Sequence, residues 1–462
     1  MVMGYKTIVF LICATAALGG LLFGLDQGFI ANSLDVIKSV YSLDIKGAEH
    51  YSSILATGGV VGALLSGLLA RFLGRKKSLV FAGLLFIIGS LLSAMILPFF
   101  VMMVLRFILG FAVGVASFVV PLYLSETAPA KIRGSMGTLF QLMITIGIFL
   151  ISVTNVFIAR MVANPKNSLP LMFGVIVIFS MLMFIGGLFL PESPRWLMLR
   201  GRKNDAIKVL ERIFVGREEI DAEIADIERT LVSETSTKII FKWFFIKVLL
   251  VGILLQMFQQ LVGINVMIYY APTIFGYAGM KGILAVMAIP TVNMLSTFPA
   301  IRLVEKWGRK KLLYVGAICM LVTMLSAGMA FSMIGMVTDP QAISGLPKAI
   351  LIVSAIVYIF GFAVSWGPVV WLVCSEIFPI KGREIGMTIT TMVNWTFVGL
   401  LMNNALTFMQ KYGNASIFFL FSAFCVLAMF FVAGFVPETK GVTLEKIEEN
   451  LKAGIKLRRL GV

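Results

Sequence analysis

Twelve long apolar runs constrain this chain more than any other feature. They cover residues 8–31, 52–73, 79–97, 99–123, 137–160, 170–190, 246–277, 282–304, 312–334, 349–378, 386–408 and 415–436. Each is close to the roughly 20 residues a helix needs to cross a hydrocarbon core about 30 Å thick. In lipid the backbone must satisfy its own N–H and C=O groups, and within one run only a helix does so. The runs therefore predict an all-α membrane protein with twelve transmembrane helices. Composition agrees: 13% of the residues are charged, against about 25% in soluble domains. Lys6 is a weak positive flank and no A-x-A cleavage site is evident, so the first run reads as a span rather than a removed signal.

The net charge of +16 would suggest a nucleic-acid partner in a soluble chain. Its distribution argues against that. With the N-terminus placed inside and the spans alternating, the outer loops hold Lys38, Lys46, Arg160, Lys166, Lys281, Lys348 and Lys411. Every other Lys and Arg except Arg106 falls inside. This asymmetry follows the positive-inside rule and predicts that both termini are cytoplasmic. Cys13, Cys319, Cys374 and Cys425 lie in spans with no paired spacing, and the only histidine, His50, lies in an outside loop. Neither a disulfide framework nor a metal site is expected, nor any cofactor.

Three motif pairs recur in the same order. RFLGRKKSL (71–79) matches EKWGRKKLL (305–313), SETAPAKIRG (125–134) matches SEIFPIKGRE (375–384), and PESPRW (191–196) matches PETKGV (437–442). Each pair follows equivalent spans, so two pseudo-symmetric six-helix bundles in the same orientation are expected, as in transporters with parallel repeats. The expected boundaries are 1–190 and 246–437 for the bundles, 191–245 for a cytoplasmic helical linker and 438–462 for a short cytoplasmic tail. In the linker, DAIKVLERI (205–213) and EEIDAEIADIERTL (218–231) read as solvated amphipathic helices. They would also serve as a strap for the two bundles. The tail, VTLEKIEENLKAGIKLRRL (442–460), reads as a basic amphipathic helix.

LLFGLDQGFI (21–30) places Asp26 inside the first run. An acid at the centre of a membrane helix costs roughly 2.5–3.5 kcal/mol on insertion scales. Asp26 is the one acid well inside a span, and Arg106 is the one base similarly deep. Their positions in spans one and four put them at nearly the same depth, which predicts a pair. A static ion pair would hold the helices together. A switch would use the opposition between burial, which favours the neutral acid, and the neighbouring Arg, which favours the anion. With no other intramembrane acid or histidine, Asp26 is the candidate proton carrier.

Uncharged polar residues cluster in other spans. They are Gln141 in span five, Gln259, Gln260, Asn265, Tyr269 and Tyr270 in span seven, Asn293 in span eight, Trp371 in span ten and Asn394 in span eleven. Glycine and proline suggest that span seven is broken, and Gly367-Pro368 that span ten is. Single amides often serve as interhelical glue. As a set, amides that donate and accept and an indole face suit a neutral polyhydroxylated ligand. Arg75, Glu126, Arg133, Arg309, Glu376 and Arg383 form matched sets at the cytoplasmic ends and are expected to bridge the two bundles. Cys374, three residues after Trp371, is expected to be reachable from the cavity.

These motifs together resemble the sugar porters of the major facilitator superfamily over nearly the whole chain. The match runs through LLFGLDQGFI, LRFILGFAVGVAS, PLYLSETAPAKIRGSM, QLMITIGI, PESPRW, QQLVGINVMIYYAP, WGRK, CSEIFPIKGRE, MVNW and VPETKGVTLEKIEENL. Within that family the chain looks most like bacterial galactose– and arabinose–proton symporters. The resemblance implies alternating access about a central sugar site, with Asp26 as the proton-coupling carboxylate and Arg106 as its partner. It implies sugar contacts at Phe23, Gln141, Gln259, Gln260, Asn265, Asn293, Gly367, Trp371 and Asn394, and an outer gate at Tyr269 and Tyr270. The partners it implies are a monosaccharide, a proton and the lipid bilayer, in a monomer of a bacterial inner membrane. The function expected is proton-coupled hexose or pentose symport, not enzymatic catalysis. The alternatives are a passive sugar uniporter on the same fold, a transport-dead sugar receptor, against which the short tail speaks, and drug export, against which the amide-rich cavity speaks. Two positions depart from the family. Arg71-Phe72 stand where the second half has Glu305-Lys306, and SLPLMF (168–173) replaces a WRWM-like segment.

Overall fold

The computed structural model describes residues 5–129, 133–214, 216–233, 242–278, 283–335, 345–379, 382–442 and 444–460. Nineteen α-helices and no strand occur among them. In the first half these are α1 (Tyr5–Tyr41), α2 (Ile45–Phe72), α3 (Arg75–Ser93), α4 (Phe99–Thr127), α5 (Arg133–Met161) and α6 (Pro165–Phe189). The linker holds α7 (Pro194–Leu199), α8 (Lys203–Ile213) and α9 (Arg217–Ser233). The second half holds α10 (Trp243–Leu261), α11 (Ile264–Tyr277), α12 (Ile283–Trp307), α13 (Arg309–Gly335), α14 (Gly345–Val364), α15 (Trp366–Ile377), α16 (Arg383–Met402), α17 (Ala405–Tyr412) and α18 (Ser416–Phe435), with α19 (Leu444–Lys452) in the tail. Among the described residues, twelve segments are long and apolar enough to cross a membrane. Leu68, Ile178, Leu182 and Phe430 are among the large apolar side chains left exposed, as lipid-facing positions require.

Two of the twelve segments are broken helices. Gly263 separates α10 from α11 at φ +97°, a backbone state that glycine adopts freely. Met267 N–H then bonds back to the Gly263 carbonyl to start the second piece. In span ten the break is at Ser365, two residues before the expected Gly367-Pro368. Pro368 instead lies in the first turn of α15, where its missing N–H goes unneeded.

Helices α1, α4 and α5 pack together in the first half, with α2 on α4 and α3 on α6. In the second, α10 packs on α15 and α16, while α13 packs on α14 and α18. The halves meet along α2 with α16, α5 with α12, and α1 with α11. The expected linker helices form. α7 and α8 contact α4 and α1, so the strap rests on the first half. Leu210, Ile220 and Ile224 give it a small core of its own. The loops carrying the two GRKK motifs, between α2 and α3 and between α12 and α13, lie at one end of the bundle, the basic end.

Candidate functional site

Asp26 on α1 and Arg106 on α4 meet as their depths predict. Arg106 Nη1 donates to Asp26 Oδ1 over 2.6 Å, and neither side chain has exposed surface. The guanidinium lies 5.3 Å from the Tyr51 ring centre and 6.0 Å from that of Phe29. Such a pair is costly to bury, and removing one partner would leave an uncompensated charge.

The residue after Asp26 reaches into the other half. Gln27 Nε2 donates to Asn265 Oδ1 of α11. Asn265 Nδ2 donates to Gln260 Oε1 at 2.6 Å, and Gln260 Nε2 lies 3.4 Å from Gln259 Oε1. Asn394 Nδ2 donates to Gln259 Oε1 at 2.8 Å and to Gln256 Oε1 at 2.7 Å. Gln259 Nε2 donates to the Trp366 and Gly367 carbonyls at 2.9 and 3.2 Å. Both carbonyls lie in the first turn of α15, just after the break at Ser365. Gln27, Gln256, Gln259, Gln260, Asn265 and Asn394 form one line of amides across α1, α10, α11 and α16. Phe23, one turn from Asp26 and Gln27, lies against Trp395, with ring centres 5.2 Å apart at 40°.

The other expected ligand residues fall on neighbouring elements. Gln141 is half-buried on α5, Trp371 is half-buried on α15, and Asn293 is buried on α12. Thr297, one turn after Asn293, donates to Thr145 of α5 at 3.2 Å, closing the α5–α12 seam. Tyr269 and Tyr270 are buried on α11, and the Tyr270 hydroxyl donates to the Met402 carbonyl at 2.8 Å. Cys374 departs from expectation. It is fully buried, with Sγ 3.9 Å from the Gly252 carbonyl oxygen and 4.0 Å from Gln256 Nε2. Its face of α15 is turned into α10.

At the basic end each half builds the same unit. Arg75 clamps Glu126 with two bonds of 2.8 and 2.7 Å, and Arg309 clamps Glu376 with two of 3.2 and 2.8 Å. Glu192 accepts from the N–H groups of Arg75 and Lys76 at the start of α3. Glu438 does the same for Arg309 and Lys310 at the start of α13. Both helices begin after a positive-φ glycine, Gly74 at 95° and Gly308 at 85°. A Cβ there would lie 2.2 Å from Glu192 Oε2 and 2.6 Å from Glu438 Oε2, so the carboxylate occupies the space a side chain would fill. The Arg–Glu pairs were expected to run between the bundles. Instead these two close within one bundle, because each Arg opens a helix beside the end of its own half's Glu-bearing helix. Between the halves, Arg75 also reaches Glu384 of α16, at 3.7 Å. Arg383 opens α16, and the side chain of Arg133, which opens α5, lies outside the described residues. Where Arg71 departs from the repeat, its carbonyl accepts from Trp196 Nε1 and Arg200 Nη2 of the linker.

The opposite end also joins the halves. Glu49 of α2 is fully buried and accepts from the backbone N–H of Thr407 in α17 at 2.8 Å and from the Thr407 hydroxyl. Lys46 bonds Glu49 and the Asn403 carbonyl. Sequence reasoning did not single out Glu49, Gln27, Gln256, Glu192 or Glu438. The repeated PES and PET signalled the last two, and Gln27 stood beside Asp26 in the quoted motif.

The sequence profile described as "Sugar (and other) transporter" matches residues 12–451. The chain belongs to this sugar transporter family. It is 41% identical to the galactose-proton symporter of Escherichia coli K12, over 99% of this chain and 97% of that protein. It is 36% identical to the arabinose-proton symporter of the same strain, over 98% and 95%. Among solved structures, the major facilitator superfamily proton:xylose symporter XylE bound to 6-bromo-6-deoxy-D-glucose matches with a TM-score of 0.83 and 30% identity, covering 98% of this chain and all of that one. A partially occluded inward open form of XylE from E. coli matches with a TM-score of 0.82 and 31% identity, over 95% of this chain and all of that one. The chain is therefore a multi-pass membrane sugar porter of the major facilitator fold, and not an enzyme.

Proposed function

We propose that this protein carries a monosaccharide inward together with a proton. Galactose or glucose is the first candidate and arabinose the next. The observation that carries this reading is the adjacency on α1: Asp26 holds Arg106 in the first half, while Gln27 holds the amide line of the second. A change in the protonation of Asp26 alters its grip on Arg106. The resulting shift of α1 is passed to the amides by Gln27. The amides of Gln259, Gln260, Asn265, Asn293, Asn394 and Gln141 supply donors and acceptors for sugar hydroxyls. Phe23 and Trp371 offer apolar faces to ring C–H groups, and Gly367 orients Gln259. Tyr269 and Tyr270 gate the outer side. Asp26 itself favours symport over passive facilitation, because an uncharged residue would serve a facilitator.

The basic end faces the cytoplasm in this reading, by the positive-inside rule, in a bacterial inner membrane with both termini inside. Residues 1–190 and 246–437 move as two bundles, joined by 191–245 and followed by the tail 438–462. The protein works as a monomer with the proton as coupling ion and no cofactor. Competition among labelled sugars in proteoliposomes, with and without a pH gradient, tests it. Accumulation against a gradient that a protonophore abolishes supports symport. Uptake indifferent to protonophore and pH overturns it.

A further inference from the structure

At the ion pair, its two side chains and Tyr51 leave four polar atoms without a hydrogen-bond partner. These are Asp26 Oδ2, Arg106 Nε and Nη2, and the hydroxyl of Tyr51. All three residues are fully buried. They also belong together, since Arg106 bonds the other oxygen of Asp26 and lies over the Tyr51 ring. An unmade hydrogen bond in a buried site costs about 1–3 kcal/mol. Several such atoms in one place mark a polar pocket of the kind that holds ordered water.

The three groups have different capacities. A guanidinium does not release its proton, whereas a phenol hydroxyl both donates and accepts. Asp26 ends the path. Tyr51 is therefore the side chain here that can pass a proton on. Its surroundings lead outward. The Tyr51 ring centre is 6.3 Å from that of Phe99, the first residue of α4, and Phe99 is 5.6 Å from Tyr41 at the end of α1. Tyr41 is half-buried and donates to the Leu97 carbonyl at 2.9 Å. This line runs inside the first half, between α1, α2 and α4. The remaining titratable groups near the pocket are accounted for. Tyr269 faces Asp26 and Arg106 from α11 of the other half, off the line between α1, α2 and α4. Glu49, half a turn before Tyr51, is held by Lys46 and Thr407.

We propose that Tyr51 relays the proton to Asp26 through water held between its hydroxyl and Asp26 Oδ2, by a route inside the first half that is separate from the sugar path. A hydronium on the outer side gives a proton to the Tyr51 oxygen as the Tyr51 O–H proton passes to the inner water. That water protonates Asp26 Oδ2. The phenol and both waters end neutral, and one proton has moved from the outer phase to the carboxylate. Such a route lets Asp26 take its proton while the halves are closed over the sugar on the outer side. It rests on the reading of Asp26 as proton carrier.

Tyr51→Phe keeps the ring under the guanidinium and removes only the hydroxyl. In proteoliposomes the initial rate of pH-driven uptake should fall about tenfold, equivalent to ~1.4 kcal/mol on the barrier. Lowering the outer pH by one unit should restore it, because proton delivery has become limiting. Sugar affinity and counterflow at equal pH, in which the proton stays bound, serve as the contrasting readouts and should hold. Unchanged driven uptake in Tyr51→Phe, or an equal fall in driven uptake and counterflow, would overturn the relay. Asp26→Asn is the control. If that variant still accumulates sugar uphill, the carrier reading itself fails, a result distinct from failure of the relay alone.

Discussion

In the first half Arg75 clamps Glu126 while Glu192 caps α3; in the second Arg309 clamps Glu376 while Glu438 caps α13. The basic ends are thus built alike, down to the glycine before each capped helix. The membrane interiors of the two halves are not alike. The first holds a buried acid and base beside Gln27 and Gln141, while most of the amides, on α10, α11 and α16, and both broken helices lie in the second. The difference teaches that the repeat supplies a scaffold and not a site. An anion stabilises a helix start whatever the cargo, so the capping unit can recur in both halves. A proton carrier and a hydroxyl reader need opposite chemistry. A charge would hold water that competes with the sugar, and an amide cannot take up a proton.

The strongest way to break the proposed division of labour is Asp26→Asn. A two-unit pH gradient can support about a hundredfold accumulation per coupled proton, each unit being about 1.4 kcal/mol. The variant should bring the accumulation ratio to one while counterflow persists. Any uphill accumulation would place a carrier elsewhere, and the second half would have to be searched for it. Asn394→Ala attacks the other side of the comparison. It removes the Nδ2 donor shared by the Gln256 and Gln259 oxygens and should weaken sugar binding tenfold or more, about 1.4 kcal/mol, with the pH dependence of transport kept. Quenching of tryptophan fluorescence by sugar would measure it, and a changed pH profile with unchanged affinity would blur the division. Glu49→Ala removes a link between the halves. It should shift the population toward outward opening by roughly fivefold to a hundredfold, about 1–3 kcal/mol, read by distance labels on α2 and α17. No shift would mean that the α2–α16 packing alone holds that end.

The smallest effect tests whether the two caps are equivalent. Glu192→Gln and Glu438→Gln should each lower stability by about 1 kcal/mol, as for other lost caps. Burial pushes the Glu192 carboxyl above its usual range, opposed by the N–H groups of Ser193, Lys76 and Arg75 and by the Arg75 charge. A raised carboxyl pKa stabilises the fold fully below the unfolded value, about 4.3. That contribution fades as pH rises through the folded value. The deficit of Glu192→Gln should therefore narrow with rising pH, which thermal melts at several pH values would show. A deficit that widens with rising pH would mean that the N–H groups outweigh burial, and a constant one that the two balance.

The sequence by itself determined the twelve membrane segments, because helices in lipid announce themselves by apolar length alone. It also paired Asp26 with Arg106, since each was the one deep ionisable group of its sign and depth follows from counting residues. The repeat of GRKK and PES/PET showed that both basic ends would be built alike. What it did not show was direction. Whether Arg75 turns to its own half or the other depends on which helix ends lie beside it, and that is decided by packing. Cys374 looked accessible from spacing, yet the rotation of α15 faces it into α10. Gln27 and Gln256 are ordinary amides in the sequence and become links only where α1, α10 and α16 converge. Glu49 stood outside the apolar run, because hydropathy ends where polar residues begin while the helix does not. Apolar length, charge and repetition are properties of the chain and can be read along it. Which side chains touch is a property of the helix packing, and only the tertiary structure decided that.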